Sequence, residues 1–137
     1  MTQEEKLLLI KDLCARLPYR VKCYVPVENC TMELTGKRLN YFCFHKDAWG
    51  GDYSHEREIV LDPLNDVSND YIVKPYLRPL SSMTEEEKQI LELCNAFVEP
   101  RSIELKIDFY NNQHLDYRGL IEKGLAIEAA EGMYNLK

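Results

Sequence analysis

The sequence predicts an α+β fold: an N-terminal helix, a small curved antiparallel sheet of four to five short strands, and two to three C-terminal helices packed on that sheet. Three observations carry that expectation. Residues 71–88 change from strand chemistry to helix chemistry. Threonines at 2 and 84, each with a glutamate three residues on, open helical patterns as capping boxes. Between them lie short alternating apolar runs separated by turn residues, the pattern of half-buried strands.

After Thr2, the residues Leu7, Ile10, Leu13, Cys14 and Leu17 recur at i, i+3, i+4 spacing, so they are expected to form the apolar stripe of helix one, which Pro18 ends. The shared chemistry at 1–6 and 83–88 is convergent capping and not a duplication. Cys14 lies twelve residues past its threonine and Cys94 only ten past its own.

Tyr19 to Val27 alternates, with Val21, Cys23 and Val25 on one face. Met32 to Leu34 leads into Thr35-Gly36-Lys37, read as a turn, and Leu39 to Phe44 returns as the most aromatic strand, a hairpin. His45 to Glu58 is polar and glycine-bearing and carries the sole tryptophan, Trp49, on a predicted exposed loop. Ile59 to Leu61 resumes a strand, Asp62 to Asp66 is a turn, and Tyr71, Val73 and Leu77 mark the last strand. Pro75 and Pro79 remove two ladder donors there, which confines it to an edge or ends it. Such strands make a strongly curved sheet or a small barrel.

Glu85, Glu86 and Glu87 suit a helix start, and Ile90, Leu91, Leu93, Cys94, Phe97 and Val98 continue helix two up to Pro100. Residues 103–109 alternate like a strand, yet Ile103, Ile107 and Tyr110 also share a helical face with Ser102 as a cap; the helix is the expectation. Asp116 is placed to cap a last short helix through Ile121, with Gly124 at its left-handed exit and Leu125 to Ile127 as a terminal strand.

At 137 residues, 45% apolar and 29% charged, the chain suits one domain, with helix and sheet in 1–80 and mainly helix in 81–137. The net charge of −6 is uneven: 11 bases and 12 acids in 1–80 give −1, while 6 and 11 in 81–137 give −5. With no basic cluster beyond Lys37-Arg38, nucleic acid is not an expected partner. Five cysteines without tight spacing predict reduced thiols in the cytoplasm, and the acidic opening and short aliphatic runs predict neither targeting signal nor membrane span.

Cys23, Cys30, Cys43 and His45 are the conceivable metal ligands, but they lack the close pairs of structural zinc sites, so no metal and no cofactor is expected. The acid–imidazole pairs His45-x-Asp47 and His114-x-Asp116 stand beside no nucleophile elbow, phosphate loop or dinucleotide fingerprint, and no catalytic residue is assigned. Two candidate binding regions remain. His45, Trp49, Tyr53 and His55 place amphipathic rings on a glycine-hinged loop, and the blander alternative folds Trp49 over the sheet. His114, Asp116, Tyr117 and Arg118 crowd a helix junction, where the blander alternative is a capping network with Arg118 on helix-end carbonyls or on Asp116.

Three segments, 74–87 (KPYLRPLSSMTEEE), 116–126 (DYRGLIEKGLA) and 131–134 (EGMY), together with Met1 to Tyr19, resemble a family of small uncharacterised proteins from phages, prophages and mobile elements of gut anaerobic bacteria. They cover about a third of the chain, and the stretch from Val21 to Asp70 departs from the pattern. The resemblance implies a bacterial cytoplasmic setting and a helix before Asp116, and transfers no catalytic residue. The expected function is that of a non-enzymatic accessory or adaptor protein binding another protein through the Trp49 loop or a sheet edge. The alternative is a small-ligand binder or enzyme using the His114–Arg118 junction.

Overall fold

The computed structural model describes residues 2–26, 29–38, 41–45, 56–60 and 73–134. Trp49, Tyr53 and His55, and with them the predicted binding loop, lie outside the described residues.

Helix α1 spans Gln3–Arg16. Glu5 N–H donates to the Thr2 hydroxyl at 3.1 Å, and Thr2 N–H donates to the Glu5 carboxylate at 3.1 Å, so the capping box is complete. A 3-10 turn at Leu17–Tyr19, with Pro18 near its start, ends the helix. The buried face is not the predicted one. Leu9, Asp12, Leu13 and Arg16 are buried while Leu7 and Cys14 are exposed, a rotation of roughly 100°, the angle of one residue. An aspartate and an arginine share that face because they neutralise each other inside it.

Among the described residues six strands follow: β1 (Lys22–Val25), β2 (Cys30–Arg38), β3 (Tyr41–His45), β4 (Glu56–Val60), β5 (Lys74–Leu77) and β6 (Ile127–Glu128). Among the described residues they are ordered β4-β3-β2-β1-β5-β6 in an open sheet, and not in the alternative barrel. The first five pair antiparallel, and the two-residue β6 adds a parallel edge beside β5, making the sheet mixed. Residues 35–37 are strand and not turn. The register passes from Leu34↔Phe44 to Gly36↔Cys43, so Thr35 is the extra residue of a bulge that lets β2 continue to Arg38. β5 is second from the edge despite Pro75, because its pairing with β6 begins only at Tyr76.

The alternation at 21–25 is borne out, with Val21, Cys23 and Val25 all buried. The core joins Leu9 and Leu13 of α1 to these residues and to Met32, Leu34, Phe42, Phe44, Val73, Leu77, Leu120, Leu125 and Ala126.

Helix α2 (Glu85–Cys94) starts on Thr84 with a second complete capping box, and α3 (Arg101–Asn112) confirms the helical reading of 103–109. Ser102 is buried inside α3 and caps nothing; Pro100 holds the cap position. Neither helix contributes a residue to the core cluster, so they are not the sheet-packed layer that their apolar residues suggest. Residues 116–124 form turns and not a helix, with Gly124 at φ 74° as expected of a left-handed exit.

Candidate functional site

Two regions stand out chemically: the junction after α3, and the α2–α3 hairpin. At the junction, Arg78 N–H donates to the His114 carbonyl at 2.8 Å and Asp116 N–H returns to the Arg78 carbonyl at 2.8 Å, a short parallel bridge that docks 114–116 on the end of β5. The Arg78 guanidinium then forks onto Glu87, with both N···O distances 2.8 Å, and reaches the carbonyls of Ser82 and Gln113. That fork holds the Glu87 carboxyl far down, at about 2, against the opposing cost of burial.

Each predicted junction residue has a definite place. Asp116 accepts from the backbone N–H groups of Leu120 at 2.8 Å and Ile121 at 3.0 Å, capping the turn. Arg118 donates to Asp12 of α1 at 3.1 Å and to the Tyr117 hydroxyl, so its acid is Asp12 and not Asp116. Arg16 donates to the other Asp12 oxygen at 2.9 Å and to the Leu115 carbonyl at 2.7 Å. The Tyr117 ring meets the Arg16 and Arg118 guanidiniums at 5.5 and 4.4 Å and stacks on Tyr110 at 5.1 Å.

His114 turns the chain at φ 58°, a conformation its neighbours fix, and its ring stacks on Tyr134 at 3.8 Å. Burial first, then the positive charges of Arg16, Arg78 and Lys22, push its pKa down to about 4, so the imidazole is neutral at pH 7. Tyr134 donates its hydroxyl to the Tyr76 carbonyl at 2.7 Å and accepts from Lys22 N–H at 2.9 Å, and burial raises its pKa. These contacts fasten the 131–134 segment to β1 and β5.

His114, Asp116, Tyr117 and Arg118 are therefore brought together, but by contacts that join α1, β5 and α3 to one another. A cleft of about 480 Å³ lies nearby, lined by Arg78, Ser82, Thr84, Glu128, Glu131 and Tyr134 among others; none of the four predicted residues lines it. His45 stands apart on β3, its Nδ1 2.7 Å from the Thr35 hydroxyl. Burial raises the pKa of Cys23, as suits a core thiol with no nucleophilic part to play. Among the described residues, no three His, Cys, Asp or Glu side chains come together to hold a metal, and no helix is long and apolar enough to cross a membrane.

The hairpin is the region that sequence reasoning placed wrongly. Ile90, Leu93, Phe97, Val98, Ile103 and Ile107 are all exposed, from 38% at Ile107 to 85% at Val98. Ile90 and Leu93 stand at i, i+3 on α2, and past its end at Cys94 the exposed Phe97 and Val98 follow at the hairpin tip, where Arg101 sits 5.8 Å over the Phe97 ring. The inward side of α2 holds Glu87 and Cys94 instead. No protein-family model, curated protein or solved structure matches the chain.

Proposed function

We propose that the protein is a non-enzymatic accessory or adaptor protein of a phage or mobile element, acting by binding another protein through the α2–α3 hairpin. The observation that supports this is the row of large apolar residues from Ile90 to Val98 left outside the core. Scattered surface apolar residues need no explanation, but a run along one helix and its tip is the usual mark of an interaction surface. The phage or mobile-element setting rests on the resemblance of the 74–87 and 116–126 segments alone.

A tagged chain incubated with nuclease-treated bacterial lysate is expected to retain a protein in stoichiometric amount. The Leu93→Ser, Val98→Ser variant is expected to lose it at an unchanged melting temperature. Retention by that variant and loss by Trp49→Ala, Tyr53→Ala would move the surface to the loop. A second reading, a small-ligand binder, is favoured by the cleft beside Arg78 and Tyr134. It predicts a thermal shift with some member of a metabolite panel, removed by Tyr134→Ala.

A further inference from the structure

We infer that the partner of the α2 stripe is a basic amphipathic segment of another protein, which rests on the protein-binding reading above. Residues 85–112 carry seven acids against three bases. The bases are already engaged or poorly placed: Lys88 pairs with Glu85 at 3.3 Å, Lys106 is half-buried, and Arg101 lies over the Phe97 ring. Among the acids, Glu87 is taken by Arg78.

Of the five acids left, Glu104 and Asp108 stand on α3 and three lie beside the stripe. Glu86, four residues before Ile90 and seven before Leu93, heads the same face; Glu92 adjoins Leu93, and Glu99 follows Val98. All three are exposed, and among the described residues no ion pair engages them. An apolar row with acids at its head, side and foot complements a helix that presents aliphatic side chains on one face and Lys or Arg around it.

A second copy of the chain is the natural competitor, because a two-fold contact needs only a self-complementary patch. This patch is not self-complementary. A parallel pairing sets Glu86 against Glu86, and an antiparallel one sets Glu86 against the Glu99 end, where Arg101 is the single base offered to three acids. Like charges rimming a contact repel and select against it.

The test uses the full chain and three fluorescein-labelled synthetic amphipathic peptides with the same leucine face and Lys, Gln or Glu on the other, read by anisotropy. The Lys peptide is expected to bind at least about tenfold more tightly than the Glu peptide, with the difference shrinking as salt rises. Binding should be lost in Leu93→Ser, Val98→Ser, and the charge preference should reverse in Glu86→Lys, Glu99→Lys, both changes lying on exposed positions that leave the fold intact. Equal or better binding of the Gln or Glu peptide, still lost in Leu93→Ser, Val98→Ser, would overturn the basic partner and leave the docking surface standing. Concentration-dependent dimerisation in sedimentation, abolished by the same variant, would do likewise in favour of a second copy. Binding indifferent to Leu93→Ser, Val98→Ser, or no binding of any peptide, would overturn the inference and the surface together.

Discussion

The two ends of α3 break the burial rule in opposite directions. Its C-terminal end runs into a junction where charged and polar side chains are buried, and its N-terminal end belongs to a hairpin where large apolar ones are exposed. Both are the informative exceptions, since neither a buried charge nor an exposed apolar row comes without cost. They differ in compensation. Asp12, Arg16, Arg78, Glu87, Asp116 and Arg118 find charged or backbone partners inside the chain, with Arg16 Nη1 and His114 Nδ1 buried there without a hydrogen bond among the described residues, whereas Ile90, Leu93, Phe97 and Val98 find no place in its core. The junction completes the fold, and the hairpin leaves something for another molecule to complete.

The contrast breaks most sharply at Asp12. One carboxylate serves both Arg16 and Arg118, and both its oxygens and the Arg16 side chain are fully buried. Asp12→Ala leaves a buried guanidinium without its counter-charge, an error that costs about 3–5 kcal/mol. Urea unfolding should show that loss. A cost below about 1 kcal/mol would mean that water already reaches the pair and that the junction is less closed than its geometry indicates.

Proton linkage sharpens the same side of the comparison. His114 has its folded-state pKa lowered from 6.5 to about 4, so the unfolded chain takes up the proton first. Stability is therefore full above about pH 6.5 and falls as the pH drops toward 4, by on the order of 3 kcal/mol. Below that, Glu87 adds a second loss as it is protonated between 4.5 and about 2. His114→Asn tolerates the left-handed backbone and does not titrate, so it should flatten the first window and leave the second. An unflattened profile in that variant would assign the sensitivity to other groups.

How much of this was legible follows from which interactions are local. Both capping boxes were, because a hydroxyl and a glutamate three residues apart carry the whole signal. The face of β1 was legible from Val21, Cys23 and Val25, and Asp116 was legible as a capping residue. The buried face of α1 was not, because Asp12 and Arg16 look like solvent positions until Leu115 and Arg118, about a hundred residues away, are brought against them. β2 was cut short for a different reason: a bulge at Thr35 makes Gly36 resemble a turn. The hairpin was misplaced because helical periodicity reports an apolar face without saying what covers it.

Between junction and hairpin in expected effect lies Gly124. Its φ of 74° is left-handed, and a Cβ there would meet nothing within 4 Å, so Gly124→Ala isolates backbone strain from packing. About 1 kcal/mol should be lost, read as a lower denaturation midpoint at an unchanged m-value. A clearly larger loss would mean that the turn shifts and takes Leu125 out of the core.

The smallest effect belongs to the hairpin, and its smallness is the point. Leu93 and Val98 are 66% and 85% exposed, so replacing either by serine removes little packing, and each should change stability by no more than about 0.5 kcal/mol. The same substitutions should lower binding of a hydrophobic dye that fluoresces on apolar surface. A junction residue behaves in the opposite way, since losing Asp12 costs stability and uncovers no apolar row. If Leu93→Ser, Val98→Ser instead cost more than about 2 kcal/mol, the stripe would be packing against the chain itself. The hairpin would then belong with the junction, as a part of the fold and not as a surface held for a partner.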